Sequence, residues 1–349
     1  MNAEETITAI DADGHILEHV SDVQRYLEGK SKGRRTPLWP GCQPWDSSFG
    51  DTIGHPYDYF GNLAAGEQVA LWHRILEENH IEKAVLFSTG SGSVPKLQET
   101  DFAIDACRAV NNHFAEDYAD DRLFPVGVLP MRTPAAAVDE LRRASQELGL
   151  RAFEIMPTGL PIALGNSIYH PLYAEAERLG VVISVHGTRH WAHEVGAGTL
   201  GTFSEVHCYA FTAAMLLQFT SVMANGIAVK FPNLKMSFLE IGASWLPYYL
   251  DRLDEHWEKR GKVDMPLLTQ APSEVFRNSL YKVSVEGGEK TLSTAIDYCG
   301  AAHFMFATDV PHWDCEFPHN LKELREMTEL SPEIRKKIIY DNAKEFYGF

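Results

Sequence analysis

Residues 170–186, HPLYAEAERLGVVISVH, contain one complete helix-to-strand step. HPLYAEAERLG has a helical pattern and stops at Gly180, the kind of residue that caps a helix C-terminus. VVISVH (181–186) follows at once, near-continuously apolar as a strand buried on both faces should be. The same alternation extends in both directions. Further candidate strands are ITAIDAD (7–13), KAVLFS (83–88), LFPVGVLP (123–130), RAFEIMP (151–157), LKMSFLE (234–240), LYKVSVE (280–286) and HFMFATD (303–309). Between them lie helical patterns such as PAAAVDELRRASQEL, where Ala137, Leu141, Ala144 and Leu148 form one apolar stripe. Eight strands alternating with helices predict an α/β chain, a (β/α)8 TIM barrel built as a single domain over 1–349. An open α/β sheet with one antiparallel edge is the alternative.

Composition narrows the function classes. The chain has 349 residues, 45% of them hydrophobic, enough for a large core. Its formal charge of −17 argues against nucleic acid or an anionic membrane as the partner. Cysteines 42, 107, 208, 299 and 315 are scattered singly, without a C-x-x-C pair, which fits reduced thiols. No secretory signal and no long uninterrupted apolar run are visible, so a cytoplasmic location is expected. Residues 19–62 are rich in Gly, Pro, Ser and aromatics and read as a long insertion after strand 1, a lid or an interface arm. SPEIRKKIIYDNAKEFYGF, from Ser331, reads as a closing helix.

Catalytic groups in such a barrel sit where strands end. Here those positions hold Asp13 and His15, then His186, Glu240, Glu286 and Asp309. Asp13 and His15 share a side because residues two apart in a strand point the same way. Carboxylates and imidazoles converging from separate strands can bind a divalent cation, and Asp13, His15, His186 and Asp309 suit zinc or manganese. Each has an ordinary reading too: a lone histidine is often a satisfied core residue, Asp11 can cap a turn, and Glu286 can start a helix. Trp191, Tyr209, Phe211 and Trp313 are candidate pocket aromatics, with Trp45 in the insertion. Arg189, Arg252 and His312 are candidate substrate contacts, although Arg252 can pair with Asp251 or Asp254 instead.

IDADGH, SVH, FPNLKMSFLEIGASWLPYYLDRLDEHWE and FATDVPHWD carry a family resemblance. The chain resembles the amidohydrolase superfamily, in the branch of aminocarboxymuconate semialdehyde decarboxylase and the resorcylate- and vanillate-type decarboxylases. That likeness implies a barrel with one divalent ion at the strand C-termini, zinc first and manganese as the alternative. Members carry H-x-H at the end of strand 1, and this chain has D-x-H, with Asp13 in the first position. The strand-5 histidine carries over to His186 and the strand-8 aspartate to Asp309. The strand-6 catalytic histidine does not, because Glu240 stands there. His207, in the loop after strand 5, is a possible source of the missing imidazole, and Glu18 a further ligand or supporting group. In relatives the arginine equivalent to Arg252 can reach a neighbouring subunit's site, which implies a homodimer or higher homo-oligomer.

Two reactions on a small aromatic or unsaturated carboxylate or carbonyl compound fit these residues. One is non-oxidative decarboxylation, which needs an acid to protonate the carbon. The other is hydrolysis by metal-activated water, with Asp309 or Glu240 taking the proton. A non-catalytic barrel that binds a small ligand is the third possibility.

Overall fold

The computed structural model describes residues 7–34, 63–188 and 191–349. Arg189, Trp45 and most of the expected insertion lie outside the described residues. Within 19–62, where no clear element is expected, a short helix forms at Val20–Gln24.

Eight parallel strands follow one another among the described residues: β1 (Ala9–Ile16), β2 (Ile81–Ser88), β3 (Leu123–Pro125 and Gly127–Val128), β4 (Ala152–Ile155), β5 (Val182–His186), β6 (Lys235–Leu239), β7 (Lys282–Val285) and β8 (Phe304–Phe306). Each pairs with the next in parallel. The one expected run at 123–130 is split at Val126, whose N–H still reaches the Leu86 carbonyl at 2.8 Å. Its first piece pairs with β2 and its second with β4. The ring closes between first and last strands, where Asp309 N–H donates to Asp13 O and His15 N–H to Val310 O, both at 2.8 Å. The open-sheet alternative is thereby excluded.

Helix ends follow the local chemistry. Pro134–Leu148 stops at Gly149 (φ 76°) and His170–Leu179 at Gly180 (φ 69°), conformations that favour glycine. Ser331 accepts the Ile334 N–H at 3.3 Å to start the closing segment. That segment ends in Phe346 and Tyr347, which are buried against Ile10, Val85, Ala152 and Val182 at the strand N-termini. One mouth of the barrel is therefore plugged, and chemistry is left to the other. Helix Phe203–Ala224 has the length and hydropathy of a membrane span, yet Met215, Phe219 and Met223 are buried in the core between helices and barrel.

All of β1 is buried, its carboxylates included. Asp11 is a structural clasp. Its carboxylate accepts Thr308 N–H at 2.9 Å, Thr308 Oγ–H at 2.6 Å and Asp13 N–H at 3.1 Å, tying β1 to the segment after β8. Burial pushes its pKa up to about 7 against those hydrogen bonds. Asp11→Ala orphans three buried donors, so a loss of about 3 kcal/mol or more is expected. Asp11→Asn keeps an acceptor and should lose about 1 kcal/mol. Urea unfolding of the two variants measures the difference.

Candidate metal centre

Four of the barrel's strands contribute to one cluster at the open mouth. Asp13 and His15 come from β1, His186 ends β5, Glu240 follows β6, and Asp309 and His312 follow β8. His15 Nε2 lies 3.3 Å from Asp309 Oδ1, 3.6 Å from Asp13 Oδ1 and 4.0 Å from Glu240 Oε1. His186 reaches Asp13 through Nε2 (3.2 Å) and Glu240 through Nδ1 (3.0 Å). His312 Nδ1 sits 2.6 Å from Asp309 Oδ1 and 3.2 Å from Glu240 Oε1, and its ring packs on His15 with centroids 3.9 Å apart. The backbone is bent for this purpose. Glu240 (φ 74°) and Asp309 (φ 56°) occupy the left-handed region, which costs a non-glycine residue about 1–3 kcal/mol. The Glu240 turn is held by Ser284, whose hydroxyl oxygen accepts the Glu240 N–H at 2.9 Å.

The cluster pairs buried carboxylates with imidazoles and leaves one imidazole nitrogen open. His15 Nδ1 contacts the Ser88 carbonyl at 3.3 Å, so that nitrogen carries the hydrogen and Nε2 presents a lone pair. Burial and the adjacent His312 push its pKa down to about 4. A neutral nitrogen therefore faces three carboxylates, and Nε2 has no hydrogen-bond partner. Burial would also lower His186, but Glu240 and Asp13 outweigh it and lift the pKa to about 10. Burial would raise Asp309, but His312 and His15 hold it well below the usual carboxylate range. Glu240 is raised to about 7, chiefly by burial, which His186 and His312 oppose. His312 is raised: burial lowers it, and Asp309 and Glu240 more than compensate. Imidazole nitrogens and carboxylate oxygens lie within 4.8 Å of one another in two overlapping sets, one with Asp13, His15 and His186, the other with His15, Glu240, Asp309 and His312. Such a mixed set fits a divalent ion.

A cavity of about 290 Å³ opens beside this cluster, with His207, Phe211 and Trp313 on its aromatic wall. His207 lies on the helix Phe203–Ala224, and not in a loop as expected; its ring stacks on Phe211 at 4.4 Å. It lines the cavity but stays outside the cluster, with Nε2 3.8 Å from Asp314 Oδ2. Trp191 and Tyr209 are not among the described residues lining the cavity, and the Tyr209 hydroxyl donates to Val195 O at 3.0 Å. Arg252 does not line it either. It is exposed on the helix Leu246–Asp264 and pairs with Glu255, one turn away, and not with the aspartates expected. Glu18 takes no part in the cluster; its carboxylate accepts the N–H groups of Thr89, Gly90 and Ser91 at 3.0–3.3 Å.

Glu154 on β4 is a residue that strand-end reasoning passed over. It is buried, accepts a hydrogen bond from Ser88, and has Oε2 unpartnered. Burial raises its pKa to about 8, with His186 opposing. A glutamate inside the apolar run RAFEIMP was the readable signal.

Residues 83–349 match the amidohydrolase family. The chain belongs to that family. Its curated relatives include gamma-resorcylate decarboxylase of Rhodococcus jostii, 27% identical over 290 residues, covering 78% of this chain and 85% of the relative. Another is 2-amino-3-carboxymuconate-6-semialdehyde decarboxylase of Dictyostelium discoideum, 25% identical over 249 residues, covering 70% of this chain and 67% of the relative. Among solved structures, a dihydroxybenzoic acid decarboxylase from Polaromonas with bound manganese and 2-nitroresorcinol superposes with a TM-score of 0.70 at 21% identity, covering 98% of this chain and 97% of that one. These matches make the chain a metal-dependent enzyme of the amidohydrolase type, in the branch whose curated members are carboxy-lyases. Hydrolysis and a purely ligand-binding barrel find no specific support in them.

Proposed function

We propose that this amidohydrolase decarboxylates a small aromatic or unsaturated carboxylic acid without oxidation. The observation that carries the reading is the Glu240–His312 pair, a carboxyl and an imidazole 3.2 Å apart that line the cavity directly beside the candidate metal ligands. Asp13, His15, His186 and Asp309 would hold the ion, and two imidazoles with two carboxylates suit zinc first and manganese second. When bound, the ion supplies Lewis acidity that stabilises negative charge on substrate oxygens as the carbon–carbon bond breaks.

The protein's own groups do the rest. Glu240 and His312 both line the cavity, so either can face the carbon that loses its carboxylate. Because they touch at 3.2 Å, the proton belongs to the pair. A carboxyl with its pKa near 7 is well matched to general acid duty at neutral pH. Asp309 fixes His312 through the 2.6 Å contact and so orients the couple. His312 thereby supplies, from the loop after β8, the imidazole that position 240 lacks. The aromatic wall of His207, Phe211 and Trp313 gives a planar substrate a surface to lie against. For the assembly we propose a homodimer in which exposed Arg252 serves the partner subunit's cavity; sedimentation measures it.

The reading is tested by product analysis on a panel of hydroxylated and amino-substituted benzoates, in D2O and separately in ¹⁸O-labelled water. Release of carbon dioxide with one solvent deuteron on the ring at the vacated carbon supports it. Incorporation of ¹⁸O into a cleaved product, with the carboxylate retained, would replace decarboxylation by hydrolysis.

A further inference from the structure

Glu286 follows β7 and lines the cavity with Glu240, Asp309 and His312. Ser284, two residues earlier, turns its hydroxyl to the Glu240 N–H at 2.9 Å, so this side of the strand faces the site. The segment is fixed from two sides. A Cβ on Gly287 would lie 2.2 Å from the Asn320 carbonyl oxygen, which shows how closely the loop is pressed to the neighbouring backbone. The Glu289 carboxylate accepts the N–H groups of Ala243 and Ser244, both at 2.9 Å, and the Ser244 hydroxyl at 2.7 Å, clamping the loop to the one after β6. Glu240 and Asp309 are engaged by imidazoles and Glu289 by this clamp. Glu286 is different. Its carboxyl makes no hydrogen bond or ion pair among the described residues, although it is partly buried and rigidly carried.

We infer that Glu286 is a specificity-determining residue whose carboxyl accepts a hydrogen bond from a hydroxyl or amino substituent of the substrate. The inference rests on the aromatic-acid reading above. A ring lying against His207 and Phe211 would present its edge substituents to the cavity's other walls, of which Glu286 is part. In either protonation state a carboxyl oxygen can accept an O–H or N–H. A site built to meet such a donor discriminates against the analogue that lacks it.

The test uses manganese-loaded protein and calorimetric dissociation constants for benzoate, the three monohydroxybenzoates and the three aminobenzoates. Wild type should bind at least one substituted probe about tenfold tighter than benzoate, the scale of one such hydrogen bond. Whether the hydroxyl or the amino series shows the preference identifies the donor. Glu286→Ala should erase the preference while leaving manganese content and benzoate affinity within about twofold, and Glu286→Gln should restore most of it. Glu286→Leu, which keeps the volume, serves the same purpose if the alanine variant does not fold. A preference that survives in Glu286→Ala, or a wild type that binds every probe equally, would overturn this inference and leave the decarboxylase reading standing. A wild type that binds none of the aromatic acids would overturn this inference and the aromatic-substrate part of the reading above.

Discussion

Asp309→Asn is expected to lower kcat by about a thousandfold or more and to lower the melting temperature as well. Asp309 faces His15 Nε2 at 3.3 Å and anchors His312 at 2.6 Å, so the substitution removes a candidate metal ligand and loosens the proton-bearing couple together. Stability should fall because His312 and His15 hold the Asp309 carboxylate well below the usual range, so the folded protein favours its charge and a neutral amide forfeits that pairing. The loss is electrostatic and not conformational, because the residue sits at φ 56°, a region that asparagine tolerates well. The backbone bond from Asp309 N–H to Asp13 O is untouched. Activity and melting temperature should thus fall together, and a circular-dichroism melt beside the turnover assay checks both. Full turnover in a folded Asp309→Asn protein would remove this residue from the site.

Glu240→Gln separates the two chemistries by the sign of a pH effect. Decarboxylation uses the Glu240–His312 pair as an acid, so the rate should be highest with the proton present and fall as pH rises through about 7. Hydrolysis uses Glu240 as a base, and the rate would then fall as pH drops through the same value. Replacing Glu240 by glutamine should lower kcat about a hundredfold or more, keep the metal, and abolish the alkaline limb. An alkaline limb that persists unchanged in the variant would take the proton away from Glu240. A wild-type acidic limb that disappears in the variant would favour hydrolysis.

The barrel was legible because its strands are buried on both faces and its helices stop at glycines such as Gly149 and Gly180. Asp13, His15, His186, Glu240 and Asp309 were legible because they break apolar runs at strand ends. Asp11 shows where period-two reasoning stops. It lies two residues from Asp13, but the pairing of β1 with β2 shifts register between Asp11 and Gly14, and the two carboxylates go to different partners. His312 returns to the cluster through the turn in which its N–H reaches Asp309 O at 2.9 Å, a geometry no residue pattern announces. His207 was missed as a helical residue although Thr202 and Glu205 form a readable capping box just before it. Arg252 pairs three residues along its own helix with Glu255, a local contact that outcompetes a distant role within one chain.

The central claim is that the strand ends form one divalent metal centre. Elemental analysis of purified protein, before and after chelation and reloading, tests it most directly, with Asp13→Ala and His186→Ala as controls. The expected result is about one zinc or manganese per chain, removable and restorable, with both variants folded but unable to hold it. Folded wild type that holds no metal, regains none, and still turns over an aromatic acid would contradict the account.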